Sequence, residues 1–201
     1  MKNNPAEFWD DRFGNEAFIY GTEPNTFFKE QLDHLQAGFL LLPAEGEGRN
    51  AVYAAKQGWT VSAFDISEKG KDKAMLLSEQ NHVSIDYKVE GVLEYHSSTQ
   101  FDVIGLSYVH FPTDIRKQAH QRILGFLKKG GILIFEGFAK SQLKHNSGGP
   151  KNENMLFSLE EIKEEFTGLE FSILEEQTIA LSEGEFHKGA ADVIRFVGKK
   201  S

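Results

Sequence analysis

Apolar positions along this chain change their spacing several times, and each change marks an element. Residues 5–13 place Phe8, Trp9, Arg12 and Phe13 on shared faces of a short helix with Pro5 at its start and Gly14 as its stop. Tyr20 to Pro24 reads as a turn. Asn25 then caps a helix over 26–36 that turns Phe27, Phe28, Leu32 and Leu35 inward. From Phe39 the pattern alternates between strand-like and helical runs. Residues 39–43, 60–65, 84–89, 101–107 and 132–136 read as strands. Helices are predicted from Arg49, over 68–81 behind Ser67, and over 113–128. The last has Thr113 as cap and Ile115, Ala119, Ile123, Leu124 and Leu127 as its apolar stripe, with Gly130 and Gly131 closing it. Gly70 weakens the 68–81 helix by about 1 kcal/mol. After residue 137 a long polar loop runs from Phe138 to Phe157. Ser158 and Glu161 then form a capping box for a short helix. Two final strand-like runs, 170–181 and 191–199, share a glycine-bearing connection with no helix between them, so they pair antiparallel. Repeated strand–helix units predict an α/β fold with a mostly parallel sheet covered on both faces.

The segment from Phe39 to Ser67 organises the rest. A first strand leads into Ala44-Glu45-Gly46-Glu47-Gly48, then a helix opening, then a second strand ending on Asp65. Glycines 46 and 48 allow a sharp turn and close approach of a ligand. The helix start directs free N–H groups at that ligand, and a carboxylate at the tip of the second strand can accept both hydroxyls of a ribose. This order defines a nucleotide-binding half-sheet. The plainer reading is a tight turn followed by an ordinary surface Asp.

Composition narrows the setting. With 201 residues, the chain suits one domain, 1–201, made of a helical cap segment (1–37) and a core (38–201). It has no cysteine, which excludes a disulfide framework, a thiolate metal site and a cysteine nucleophile. No apolar run approaches bilayer length, and residues 1–10 lack a secretory core, so a cytoplasmic location with no membrane partner is expected. Against 22 basic residues stand 30 acidic ones, a net charge of −8, which argues against nucleic acid as partner.

The preamble helices, the loop E-G-E-G-R-N-A (Glu45 to Ala51) and the terminal hairpin together resemble the class I S-adenosylmethionine-dependent methyltransferases. The seven strand runs match that family's three-layer Rossmann-like sheet, whose last strand is antiparallel. F-W-D-D-R-F (Phe8 to Phe13) and Y-G-T-E-P-N (Tyr20 to Asn25) are similar to the cofactor-covering segment of its small-molecule branch, which includes tellurite-resistance and thiopurine-type enzymes. The resemblance implies S-adenosylmethionine as cofactor. It implies that Glu45, Gly46 and Gly48 border the methionine part, that Asp65 holds the ribose, and that Ile66, Gly91 and Val92 meet the adenine. Ser107 would lie near the sulfonium, with Trp9, Arg12 and Tyr20 closing over it and Arg12 a partner for the cofactor's carboxylate. Three positions depart from the family pattern: Leu42 stands where an acid is common, Ala44 replaces the first loop glycine, and no acid stands at Gly91.

The expected function is methyl transfer to a small molecule such as a thiol or a metalloid oxyanion, by a monomer or weak dimer. Candidates for proton transfer or substrate contact are His110, Tyr108 and His187, with Glu136, Glu183, His145 and Asn146 beside them. Each has a bland counterpart as a packed, capping or loop residue. The histidines at 82, 120 and 187 are too scattered for a metal site. Two rivals stand. Gly46, Gly48 and Ala51 also fit the G-x-G-x-x-A of an NAD-dependent oxidoreductase, although no substrate domain or Tyr-x-x-x-Lys pair accompanies them. The altered loop would also suit a methyltransferase-like binding module without catalysis.

Overall fold

In the computed structural model residues 4–201 are described, so the first three residues of the cap segment lie outside the account that follows. Helices α1 (Pro5–Phe13) and α2 (Thr26–Leu32) precede the sheet. The core then runs β1 (Phe39–Pro43), α3 (Arg49–Lys56), β2 (Thr60–Asp65), α4 (Glu68–Gln80), β3 (Asp86–Val89), β4 (Phe101–Ser107), α5 (Arg116–Phe126) and β5 (Leu127–Phe138). It ends with α6 (Leu159–Glu165), β6 (Leu169–Glu183) and β7 (His187–Lys200). The seven strands lie in the order β3-β2-β1-β4-β5-β7-β6. Strands β1 to β5 are parallel, and β7 runs antiparallel between β5 and β6. This is the mostly parallel sheet with an antiparallel C-terminal hairpin that the pattern predicts.

Alternation along β1 sends neighbouring leucines to opposite cores. Leu41 joins Phe64, Ile104, Phe135 and Phe196 beneath α5 and α6, whereas Leu40 and Leu42 join Phe27, Phe28, Ala51 and Ala74 beneath α2, α3 and α4. The departure at Leu42 has its physical reason here. A Cβ on Gly105 would stand 2.7 Å from both Leu42 Cδ2 and Phe28 Cε2, so these two side chains fill the space that Gly105 leaves open. An acid at position 42 would be desolvated in that apolar layer.

Several boundaries differ from the sequence reading. Helix α2 stops at Leu32 rather than Gln36, and β3 starts at Asp86 rather than Ser84. Thr113 is no cap: α5 begins at Arg116 behind Ile115, and the Pro112 carbonyl accepts the N–H groups of both Ile115 and Arg116. Its other end also comes early, because Leu127 leaves the helix to pair with Phe101 and bury itself completely in the sheet. Gly130 and Gly131 therefore sit inside β5, at the register shift between the Phe101 and Val103 rungs, and not at a helix end. The stretch 138–157 is folded. An Ala139–Phe157 bridge closes it, and two short 3-10 turns, Lys140–Lys144 and Glu153–Met155, lie within it. Ser158 and Glu161 form the predicted capping box of α6.

A buried ion cluster ties α5 to α6. Glu165 accepts from Arg116 Nε at 2.9 Å and lies 2.7 Å from His120 Nδ1, while Arg116 Nη1 donates to the Asn154 and Leu156 carbonyls. Burial alone would raise the Glu165 carboxyl, but His120 and Arg116 outweigh it and hold it below the usual range.

Candidate active site

The loops after β1, β2, β3 and β4 all open at the carboxyl edge of the parallel sheet, where ligands of open α/β sheets bind. The first loop keeps the turn its sequence predicts. Gly46 and Gly48 have φ of +61° and +85°, and Ala44 also adopts a positive φ of 50°. The alanine that replaces the family glycine thus retains a left-handed backbone, at a cost of about 1 kcal/mol. Gly48 is further required by packing, because a Cβ there would lie 2.5 Å from Ala74 Cβ on α4. Glu45 bends back over α3, where its Oε1 accepts the N–H groups of Asn50 and Ala51, each at 2.8 Å. Helix α3 therefore fills its own first turn with a carboxylate.

Burial pushes the Glu45 carboxyl up to about 7 against the lowering effect of the Ala51 N–H, Asn50 and Arg49. A folded-state value above the unfolded one means that Glu45 favours folding most below the unfolded value, and that this contribution is lost as pH rises through about 7. Glu45→Gln keeps an oxygen for both backbone donors and removes the charge. The variant is expected to gain up to about 3 kcal/mol on the native chain between about pH 5 and pH 8, read from paired urea melts. Parallel pH profiles for the two proteins would refute this assignment.

Asp65 sits at the tip of β2 and is buried. Its Oδ2 accepts Gly46 N–H at 3.1 Å and its Oδ1 accepts Ser67 N–H at 2.9 Å, which leaves lone pairs on both oxygens. Burial raises this carboxyl to about 6, with the backbone donors at Ser67, Gly46 and Ile66 opposing. Tyr87 donates its hydroxyl to the Gly46 carbonyl at 2.6 Å and so locks the loop from below. Gly91 and Val92 follow β3 next to Ile66. A Cβ on Gly91 would stand 3.9 Å from Ile66 Cγ2 and would collide with the Glu94 carboxylate. Glu94, which the sequence reading passes over, therefore brings an acid to the place where Gly91 has none. Its signal would have been an acid one helical turn further along, a spacing that only the Gly91-to-Tyr95 turn makes meaningful.

A cover closes on this edge from two sides. Phe13 of α1 lies over Gly46, and Asp10 accepts from Ser67 Oγ at 2.6 Å. Trp9 stacks on Phe13, and Arg12 donates to Tyr20 Oη at 3.2 Å while lying over the Phe186 ring. The buried Glu47 accepts the Ile19 N–H at 2.9 Å and pairs with Lys73, which anchors the cap segment to the loop. From the other side the β6–β7 turn docks on the cap. Glu185 N–H donates to the Ile19 carbonyl, and a Cβ on Gly184 would lie 2.6 Å from Tyr20 Cα. The sequence-predicted Arg12 and Tyr20 thus meet the hairpin that carries Glu183 and His187, while Trp9 stays within the cap against Phe8, Phe13 and Arg12.

The remaining candidates separate. Tyr108, directly after Ser107 at the end of β4, has a strained φ of 56° and packs its ring 4.5 Å from that of His187. Tyr20 lies 4.6 Å from the same imidazole. His110 does not join them. Its Nδ1 meets the Met155 carbonyl at 2.8 Å and its Nε2 accepts Phe138 N–H at 3.2 Å, so both ring nitrogens are engaged. Burial lowers it to about 4, and it is a neutral packing residue rather than a base. His145 pairs with Asp192, outside this cluster. Glu136 is buried between Arg195 and Asn25, residues whose contribution the sequence reading does not foresee beyond the capping role of Asn25. No group of three or more His, Cys, Asp or Glu side chains among the described residues is placed to hold a metal ion.

The fold and this edge define the class: a Rossmann-like sheet of five parallel strands extended by an antiparallel C-terminal hairpin. Residues 43–131, from the tip of β1 into β5, match the family model described as a methyltransferase domain. A Geobacillus sp. (strain WCH70) protein, provisionally named a methyltransferase, is 27% identical over 144 residues, which cover 69% of this chain and 58% of that protein. The chain thus spans little more than half the length of that relative. Among solved structures, TehB from Haemophilus influenzae superposes with a TM-score of 0.72 at 14% identity, covering 98% of this chain and 67% of TehB. The N-methyltransferase NodS from Bradyrhizobium japonicum WM9, in complex with S-adenosyl-L-homocysteine, gives 0.68 at 13% identity, covering 98% of this chain and 99% of NodS. At these identities the two structures share the fold with this chain.

Proposed function

We propose that this chain transfers a methyl group from S-adenosylmethionine to a small-molecule acceptor with a thiol, hydroxyl, metalloid or similar nucleophile. The observation that carries this reading is Asp65. It is a desolvated carboxylate at the tip of β2 with spare lone pairs, held beside a left-handed glycine loop on the carboxyl edge of the sheet. That donor set fits a ribose diol, and the apolar Ile66 and Val92 with the acid of Glu94 fit an adenine. The matching of residues 43–131 to a methyltransferase domain favours an adenosyl cofactor over NAD.

The cofactor supplies a methyl carbon already activated by a sulfonium. The chain's own task is placement: to align a nucleophile opposite the leaving sulfur and to keep water out. Asp65 would hold the ribose, and the backbone of Glu45 to Gly48 would border the methionine part. Trp9, Arg12, Phe13 and Tyr20 would cover it, with Arg12 directed at its carboxylate. The acceptor would enter between Ser107, Tyr108 and the hairpin tip. Within this reading the chain works as a monomer or weak dimer of one domain.

Calorimetric titration with S-adenosylmethionine, S-adenosylhomocysteine and NAD tests the proposal. Micromolar binding of both adenosyl compounds and none of NAD is the expected result. Binding of NAD alone would replace the reading with an oxidoreductase. Binding of none would leave a methyltransferase-like module in which Glu45 has taken over the helix start.

A further inference from the structure

The last rung of the β6–β7 hairpin pairs Glu183 with His187, and the surroundings of this pair are built in detail. Both side chains are largely buried. Glu183 is held from three directions. Arg49 Nη2 donates to its Oε2 at 2.9 Å, Asn25 Nδ2 to its Oε1 at 3.3 Å, and His187 Nδ1 lies 3.5 Å from Oε2. The imidazole is enclosed by the rings of Tyr20, Tyr108 and Phe138, with centroids 4.6, 4.5 and 5.4 Å away. Gly148 lies against its edge, where a Cβ would come within 2.8 Å of Cδ2. With Nδ1 turned to a carboxylate, the proton belongs on Nδ1 and the lone pair on Nε2. Nε2 makes no hydrogen bond among the described residues. The hydroxyl of the neighbouring Tyr108 ring is buried, with Glu136 and Glu183 as its charged neighbours.

We propose that His187, oriented by Glu183, is the general base of this site, and that the acceptor is a planar hydroxyl compound of the phenol or enol class. The proposal rests on the methyltransferase reading above and names its acceptor. A carboxylate–imidazole pair with a free Nε2 accepts a proton, and a thiolate or a metalloid oxyanion has none to give. The aromatic surroundings of the imidazole favour a flat, aromatic acceptor over an aliphatic one. The 3.5 Å contact is long for a hydrogen bond, as such contacts are before substrate binds. In the reaction the acceptor O–H proton passes to His187 Nε2 while its oxygen forms the new bond to the methyl carbon. The C–S electron pair stays with sulfur, which becomes a neutral thioether, and the imidazolium then releases its proton to water.

The groups that set the basicity of His187 come from every element around it. They are Glu183 on the hairpin, Arg49 on α3, Glu136 on β5, Tyr108 after β4, His110 beyond it, and Tyr20 from the cap. Burial lowers the imidazole, and Glu183 works against it.

Four measurements on the full chain test this. The probe acceptor is 4-nitrophenol, whose phenolate absorbs visibly. First, S-adenosylhomocysteine binding is measured by calorimetry for the native chain, His187→Gln and Glu183→Gln. Equal affinity within about threefold is expected, and loss in the native chain itself would overturn the methyltransferase reading and this proposal with it. Second, 4-nitrophenol is titrated into the S-adenosylhomocysteine-loaded native chain at a pH where free nitrophenol is mostly neutral. It is expected to bind as phenolate, and as neutral phenol in His187→Gln. Third, the His187 Cε1–H resonance is followed with pH in the ligand-free protein, and its midpoint is expected to fall in Glu183→Gln. Methylation of 4-nitrophenol is expected to drop about 100-fold in His187→Gln, in kcat rather than KM. If nitrophenol fails to bind the loaded chain, binds in the same protonation state in both proteins, or leaves the Glu183→Gln midpoint unmoved, the dyad proposal falls while the cofactor reading stands.

Discussion

Asp65→Ala is expected to weaken S-adenosylmethionine binding by about 100-fold or more. A hydrogen bond to a charged group contributes about 1.5–3 kcal/mol, and a carboxylate on a vicinal diol makes two. Even the lower end of that sum exceeds the roughly 2.7 kcal/mol of a 100-fold change. The same substitution frees the N–H groups of Gly46 and Ser67, which now end on this carboxylate, so the loop loses its preset shape as well. A second signature belongs to the native chain. Its Asp65 carboxyl is raised by burial to about 6, above the unfolded value, and the ionised form is the better acceptor for two hydroxyls. Affinity for S-adenosylmethionine should therefore be full above about pH 6 and fall as pH drops below it. Calorimetry across that range on the native chain and on Asp65→Ala would show both effects. Binding within about threefold of native in a folded variant, or a flat pH profile, would remove Asp65 from the ribose site.

Glu165→Ala should produce the largest loss of stability, about 3 kcal/mol, because it takes from the buried Arg116 its close carboxylate and leaves it only the more distant one of Glu161, 3.6 Å away. In a chain of this size that is a fall in melting temperature of about 10 °C. His120 loses its only hydrogen-bonding neighbour at Nδ1, and its Nε2 already has none among the described residues. The cluster joins α5 to α6 and, among the described residues, shares no hydrogen bond with Asp65 or the Glu45–Gly48 loop, so affinity for S-adenosylhomocysteine at a temperature where the variant is folded should stay within about threefold of native. A thermal melt paired with calorimetry reads both. A melting point within about 2 °C of native would mean that Glu161 and the Asn154 and Leu156 carbonyls suffice for Arg116.

The two predictions differ in how far sequence alone supports them. Asp65 was legible because a strand of period-two residues, a glycine loop and a terminal acid form a local pattern, and local patterns survive in the sequence. The Arg116–Glu165–His120 cluster was not. Its members are up to 49 positions apart, and each taken alone is an ordinary charged helix residue. The boundaries of α5 failed for a related reason. Leu127 continues a helical stripe perfectly well, and only the empty place opposite Phe101 in the sheet draws it into β5. Similarly, Thr113 is a good cap by type, but the Pro112 carbonyl already collects the first two N–H groups of the helix.

The active-site candidates divide along the same line. Tyr108, His110 and His187 were equivalent in sequence, as polar residues near strand ends. Tertiary packing separated them. Loop 138–157 folds over His110 and engages both its nitrogens, whereas the hairpin brings His187 against Tyr20 and Tyr108 and leaves its Nε2 without a hydrogen bond among the described residues. Leu42 and Ala44, the two departures in the first loop, also change meaning. Leu42 is required by the apolar layer with Phe28, and Ala44 holds the same left-handed turn that a glycine would.

By itself the sequence determined seven strands along the chain, the parallel character of the first five, the antiparallel hairpin, and the loop-and-acid pair at the carboxyl edge. Each of these is written in the spacing of neighbouring residues, and backbone geometry leaves few alternatives. The tertiary structure alone decided which polar side chains face one another: Glu47 under the cap, Glu94 at Gly91, and Asn25, Arg49 and His187 around Glu183. The meetings around Glu183 depend on loop closure and desolvation across more than 100 positions of chain, from Asn25 and Arg49 to the hairpin, a scale at which no residue spacing carries information, and the Glu94 contact depends on a turn that spacing alone does not announce.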